Sequence, residues 1–256
     1  MWRLGVAGSP VAHSLSPRLH EAGLAMAGLD GTSVAIEVAA TEVAKLRELL
    51  GTSVDALSLT MPLKSAAVAL CDEVDETSRR IGAVNSVLVR GGRLWGANTD
   101  GAGFVESLAY EFGLELCGAR VLVLGAGGAA RAIVGALAGA GVASVEVEAR
   151  RTAPVDWLAA HYDVVRRGTR GDPLELVVNT TPVEGRIDRL ARGAGPATVA
   201  VDITYEPRMT QWRFQYERNG CRTLNGLAML AFQAARQMSW WFDVPIDGAA
   251  LLASIS

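Results

Sequence analysis

The chain has 256 residues, 50% of them hydrophobic and 20% charged, which suits two modest cores better than one. A formal charge of −3 without like-charge runs argues against a nucleic-acid partner, and Cys71, Cys117 and Cys221 form neither a disulfide framework nor a metal-ligand spacing. The expectation is a soluble cytoplasmic protein with no secretory leader, membrane span or metal, because the first apolar run stops at Ser9-Pro10 and the longer one over 121–145 is broken by glycines.

Residues 4–7 read as a short strand ended by Gly8-Ser9-Pro10. Ser16-Pro17 then opens a helix to about Gly28, with Ser16 as its N-cap. Ser14 has no such duty, and two hydroxyls beside a helix start suit a polyol or carboxylate. Residues 33–38 alternate as a strand, Thr41 caps a helix that ends at Gly51, and residues 56–59 form the next strand. This strand runs into Thr60-Met61-Pro62-Leu63-Lys64. Of 24 cationic residues only Lys45 and Lys64 are lysines; the other 22 are arginines. Arginine fills any generic charge role, yet with a pKa above about 12 it cannot shuttle a proton as lysine can. Lys64 is therefore a candidate acid or base, beside its plain reading as a solvated loop lysine.

Residues 81–86 lead into a hairpin with strands at 87–89 and 94–96 around Gly91-Gly92. Asn98-Thr99-Asp100-Gly101 follows. Asn85, Thr99 and Asp100 thus lie near strand termini, where open α/β sheets take ligands. Asn98 and Asp100 equally suit turn chemistry or capping of a helix over about 102–112.

Val121-Leu122-Val123-Leu124 reads as a buried strand, and a helix starts near Ala129 and runs to about Ala138. Between them Gly125-Ala126-Gly127-Gly128-Ala129-Ala130 carries the spacing G-x-G-x-x-A. Gly125 permits the turn, Gly127 lets backbone approach a pyrophosphate, and Ala130 allows helix to pack on strand. A second strand follows at 144–149. An NAD site would place an acidic residue at its end; Arg150 and Arg151 stand there instead, suiting a 2′-phosphate and so NADP. Alternation points Glu146 and Glu148 away from the face of Ala149. Strands at 174–178 and 198–203 end at Asn179-Thr180-Thr181-Pro182 and Thr204-Tyr205-Glu206-Pro207, on the side of the glycine turn. The last helix covers 227–242, with Leu227, Leu230, Ala234 and Met238 along one stripe. Gln233 and Gln237 lie one turn apart beside it, where such residues ordinarily mark the boundary with water.

Taken in order, Gly8-Ser9-Pro10 with His13-Ser14-Leu15-Ser16-Pro17, Thr60 to Lys64, Ile81 to Asn85, Asn98 to Gly101, Gly125 to Ala130, Asn179 with Thr181-Pro182, Asp202 to Pro207, and Gly226 to Leu230 with Gln233 resemble the shikimate dehydrogenase family. The resemblance implies an α/β chain of two domains: an N-terminal substrate domain, residues 1–100 plus 224–256, and a doubly wound dinucleotide-binding (Rossmann) domain, residues 101–223, with the active site in the cleft between them. It implies NADP-dependent interconversion of 3-dehydroshikimate and shikimate without a metal, by a monomer or homodimer. Lys64 and Asp100 would be the catalytic pair. Ser14, Ser16, Thr60, Asn85, Tyr205 and Gln233 would join them in holding substrate, while Gly125 to Ala130, Arg150, Arg151, Thr181 and Met229 would hold NADP. Quinate and aminoshikimate remain alternative substrates, as does a non-catalytic regulator that binds the same molecules. Two positions depart from the family pattern. Leu63 stands where the family has His, and Ala149-Arg150-Arg151-Thr152 replaces Asn-Arg-Thr, which leaves open which arginine grips the phosphate.

Overall fold

In this computed structural model the described residues, 1–167, 172–181 and 190–256, fall into two units: Met1–Phe104 with Leu230–Ser256, and Val105–Met229. The first unit runs β1 (Trp2–Gly8), α1 (Ser16–Met26), β2 (Gly31–Glu37), α2 (Lys45–Leu49), β3 (Ala56–Leu59), β4 (Glu73–Val74), α3 (Glu76–Ile81), β5 (Ser86–Arg90), β6 (Arg93–Ala97) and the start of α4 (Asp100–Phe112). Its six-stranded sheet has the order β2-β1-β3-β5-β6-β4. β1 is parallel to β2 and β3, β5 is antiparallel to β3, and β6 is antiparallel to β5. The carboxyl ends of β1, β3 and β6 therefore share one edge with the amino end of β5. That edge collects the loops carrying Ser14, Lys64, Asp100 and Asn85. Gly91 and Gly92 turn the hairpin with φ of 60° and 74°, the left-handed pair that matches strand twist.

One core of this unit lies between the sheet and the chain around α2, with Leu46, Leu57, Leu59, Leu63, Val84 and Val87 all buried together. Each such side chain contributes about 1.5–3 kcal/mol on leaving water. Leu63 thus points into the core and not into the loop's polar surroundings. The expected helix from Thr41 to Gly51 is instead a 3₁₀ turn, Ala40–Glu42, followed by the short α2. Thr41 caps neither, because it lies inside the turn, whose N-cap is Ala39, while Ala44 is the N-cap of α2.

The second unit continues through β7 (Arg120–Leu124), α5 (Gly128–Gly139), β8 (Ser144–Glu148), α6 (Thr152–His161), β9 (Val165–Arg167), β10 (Leu176–Asn179), β11 (Val199–Asp202), α7 (Gln211–Arg218), β12 (Arg222–Leu224) and the first turn of α8 (Leu227–Phe242). The rest of α8 and α9 (Gly248–Ile255) belong to the first unit. All strand pairs in this second sheet are parallel, in the order β12-β11-β10-β7-β8-β9. This is the doubly wound arrangement, with its switch point between β7 and β10, where ligands bind outside the strand ends. No described helix is long and apolar enough to cross a membrane.

Candidate active site

Lys64 and Asp100, 36 residues apart, meet on the shared edge of the first sheet. Lys64 Nζ donates to Asp100 Oδ2 at 2.6 Å, and the two side chains are 20% and 4% exposed. The other lysine, Lys45, is a surface residue paired with Glu42. Lys64 is held by the turn after β3, where Leu63 N–H donates to Thr60 O at 2.9 Å and the Lys64 carbonyl accepts from Val84 N–H at 2.8 Å. Asp100 is the first residue of α4, where the helix dipole favours an anion. The Asn98 carboxamide accepts from its N–H at 3.0 Å, so the capping duty falls to Asn98 and the Asp100 carboxylate is available to Lys64.

Asn85 completes the cluster. Its amide nitrogen lies 2.8 Å from Asp100 Oδ1, 3.0 Å from Thr99 Oγ1 and 3.2 Å from Gln233 Oε1, so two N–H groups are shared among three acceptors. Its Oδ1 accepts from the Thr99 N–H at 2.9 Å. Asn85, Thr99, Asp100 and Gln233 are all buried. Gln233 is on α8, which approaches α4 closely: a Cβ at Gly103 would lie 2.4 Å from Gln233 N, so only glycine fits that contact.

Ser16 does not take the N-cap position expected of it. The backbone is already helical at Leu15, so Leu15 occupies the N-cap of α1 and no side chain caps it. Ser14 Oγ instead accepts from Ser16 N–H at 3.2 Å, which leaves the Ser16 hydroxyl without the capping duty. This loop is tied to that of Thr60 and Lys64 through Ser9 N–H, which donates to Met61 O at 3.0 Å.

Two residues beneath the cluster, and one in α8, escape sequence reasoning. Gln237, expected at a boundary with water, is 0% exposed. Its Nε2 donates to the Asn85 carbonyl at 3.0 Å and its Oε1 accepts from Ser58 Oγ. The Ser58 proton is thereby committed, so Ser58 must accept from His20 Nε2–H at 2.9 Å, and His20 Nδ1 must accept from Ser33 Oγ at 2.7 Å. The only available signal was a serine in the apolar strand Ala56-Leu57-Ser58-Leu59 and a histidine on the apolar face of α1.

His20 is fully buried, and desolvation pushes its pKa down from 6.5 to about 4, against a smaller opposing effect of hydrogen bonding toward Gln237. The unfolded chain takes up this proton first. Stability is therefore complete above pH 6.5 and should fall by about 3 kcal/mol as pH drops to 4. The carboxylates of Asp55 and Glu175, held below their ordinary values by Arg3 and Arg120, lose their stabilisation at lower pH. Urea unfolding between pH 7 and 4 should show the decline, and His20→Gln should flatten it; an equal slope in the variant would contradict the assignment.

In the second unit Gly125 has φ of 107°, and a Cβ there would come within 2.3 Å of Thr180 Oγ1. Gly127 is the exposed N-cap of the twelve-residue α5, with no capping side chain and open space where a Cβ would stand. Ala126, Gly128 and Ala129 are half-buried, and Ala130 is buried against the sheet. Arg150 and Arg151 are exposed just past β8, with Arg151 at the N-cap of α6. A helix start with free N–H groups, unobstructed glycine backbone and two guanidiniums fits the pyrophosphate and 2′-phosphate of NADP. Thr181 lies beside this loop at the end of β10, its hydroxyl donating to Asn179 Oδ1 at 2.6 Å, while Pro182 lies outside the described residues. Tyr205 is half-buried after β11, and Met229 is buried in the first turn of α8. Both belong to the second unit, and the Lys64 cluster to the first.

Comparison with known proteins bears on both sites. A sequence model described as the shikimate dehydrogenase substrate binding domain matches residues 6–87. The shikimate dehydrogenase (NADP(+)) of Geobacter sulfurreducens is 38% identical over 276 residues, spanning 98% of this chain and 96% of its own. The chain belongs to the shikimate dehydrogenase family. Solved structures agree with its fold closely. Shikimate 5-dehydrogenase from Thermus thermophilus, in complex with NADP(H) and shikimate, has a TM-score of 0.90 at 36% identity, covering 99% of this chain and 98% of its own. The ligand-free 5-ketofructose reductase of Gluconobacter sp. strain CHM43 has a TM-score of 0.85 at 30% identity, with 99% and 97% covered.

Proposed function

We propose that this member of the family is an NADP-dependent shikimate dehydrogenase, an oxidoreductase of aromatic amino-acid biosynthesis that interconverts 3-dehydroshikimate and shikimate. The observation that carries this reading is the Lys64–Asp100 pair at 2.6 Å, joined by Asn85 and Gln233, in a chain with that family's sequence. NADPH, when bound, supplies the hydride for the ketone carbon. Lys64 Nζ, protonated, donates a proton to the ketone oxygen and stabilises the negative charge developing there. Asp100 Oδ2 keeps the ammonium aimed, and Asn85 fixes the carboxylate through Oδ1. In oxidation of shikimate the same amine takes the hydroxyl proton.

In this reading residues 1–100 with 224–256 bind substrate and residues 101–223 bind the cofactor. Ser14, Ser16, Thr60, Asn85, Tyr205 and Gln233 hold the hydroxyls and carboxylate. Gly125 to Ala130, Arg150, Arg151, Thr181 and Met229 hold NADP. The protein acts in the cytoplasm as a monomer or homodimer.

Because the Ser16 hydroxyl carries no cap, Ser16→Ala should raise KM for shikimate about tenfold, the worth of one hydrogen bond to a charged group, while stability changes by less than about 0.5 kcal/mol. Ser14→Ala should lower stability as well, since its acceptor for the Ser16 N–H is lost. Steady-state kinetics and urea unfolding of both variants check this; an unchanged KM in both would return the serines to local structure.

A second reading is reduction of a ketosugar, favoured by the fold shared with the Gluconobacter reductase. One steady-state comparison separates the two. The proposed function requires kcat/KM for oxidation of shikimate with NADP+ to exceed that of quinate and aminoshikimate with NADP+ or NAD+, and kcat/KM for reduction of 3-dehydroshikimate with NADPH to exceed that of 5-ketofructose with NADPH or NADH. A preference for any of the others overturns it.

A further inference from the structure

Asn85 reaches the catalytic pair with its side chain, yet it is held from behind by its main chain. Its carbonyl accepts from Leu59 N–H at 2.7 Å and from Gln237 Nε2 at 3.0 Å. Gln237 cannot swing away, because its other end is occupied by Ser58, and Ser58 is in turn occupied by His20. His20 is wedged against Trp241, one turn beyond Gln237 on α8, with ring centroids 5.3 Å apart. His20 and Gln237 are fully buried and Ser58 is 6% exposed, so water offers no substitute for these bonds. The donors all run one way, from Ser33 to His20, Ser58, Gln237 and the Asn85 carbonyl, and the Asn85 amide then donates to Asp100. Gln233 grips the side chain of the same asparagine from one turn earlier on α8. Two glutamines on one helix thus clamp Asn85, Gln233 at its amide and Gln237 at its carbonyl.

We infer that Gln237, locked by Ser58 and His20, is a positioning residue for the Lys64–Asp100 pair, acting through Asn85. The inference rests on the proposed function for its kinetics but not for its geometry. Gln237 hydrogen-bonds to Ser58 and Asn85, and to neither Lys64 nor Asp100. Its removal should release the Asn85 carbonyl on one side and let the amide drift from Asp100 Oδ1, so that the carboxylate no longer holds the ammonium in line.

The test is Gln237→Met, which keeps the volume and removes both hydrogen bonds. A misplacement of this kind should lower kcat for shikimate oxidation roughly 10- to 100-fold while KM for NADP stays constant. In an Asn85→Ala background, where the link to Asp100 is already cut, the same substitution should change kcat by less than twofold. A merely structural role would give the same loss in both backgrounds and would overturn the inference, as would a kcat within twofold of wild type for the single variant. If Gln237→Met does not fold, Ser58→Ala goes through the same cycle, with the same outcomes read the same way. A second measurement needs no substrate: acetylation of Lys64, followed by peptide mass, should be at least threefold faster in Gln237→Met, because its carboxylate partner is no longer fixed. Equal rates would overturn the inference even if wild-type enzyme failed to oxidise shikimate, a result that would sink the proposed function alone.

Discussion

Lys64→Ala should lower kcat for shikimate oxidation by roughly 100- to 10,000-fold, the usual range for a lost general acid or base, with only a modest change in shikimate affinity. The structure gives a reason for the asymmetry. Lys64 meets Asp100 at the end of β3, whereas Asn85 and Gln233 are fixed by bonds of their own that do not pass through the lysine. Arginine is the more informative replacement. It restores charge and donors, but at neutral pH it cannot give up a proton, and its planar head is larger than the ammonium that now sits 2.6 Å from a nearly buried carboxylate. Lys64→Arg should therefore stay inactive even where it binds. Binding of shikimate, measured beside kcat, separates misfit from chemistry. If the Arg variant binds normally and turns over at a near wild-type rate, Lys64 serves only as a charge and another group moves the proton.

Replacing Arg150 and Arg151 together by Ser should reduce kcat/KM for NADP roughly 100-fold and that for NAD less than threefold, since hydrogen bonds to a charged group are worth about 1.5–3 kcal/mol each and NAD lacks the 2′-phosphate. Both arginines are exposed just beyond β8, so their loss opens no cavity. Serine also suits position 151, the N-cap of α6, and should leave that helix intact. Kinetics with both cofactors, accompanied by a melting curve, give the result. Equal losses for NADP and NAD, or a wild-type preference for NAD, would show that the two guanidiniums do not read the phosphate. The single variants then decide which arginine matters, a point the altered Asn-Arg-Thr pattern leaves open.

The sequence by itself determined whatever rests on local pattern. The apolar run before Gly125 dictates a buried strand, the glycine spacing dictates a turn into a helix, and the parallel sheet then follows from the repeated alternation of strand and helix. Lys64 stood out because the chain spells almost every other cation as arginine, and Asp100 because it closes a strand-end motif. Elements with weak periodicity were not legible: β4 has two residues, β9 and β12 three each, and α9 follows α8 after a short break. Cap assignments failed where the backbone departed from its expected start, as at Leu15 and Thr41, since a cap depends on one or two dihedral angles that composition does not fix.

Only the tertiary structure decided which polar groups are buried together. Gln233 and Gln237 look alike on a helical wheel, and both suit the edge of an amphipathic stripe. The packing of α8 on α4 and on the first sheet turns both inward, one to the Asn85 amide and one to its carbonyl. His20 and Ser58 are 38 residues apart, and Ser58 and Gln237 are 179 apart, separations over which no sequence period carries information. A buried polar group must find a partner wherever the fold brings one, because leaving it unpaired costs about 1–3 kcal/mol. The pairing is therefore settled by the packing of whole elements, and it becomes visible only once they are in place.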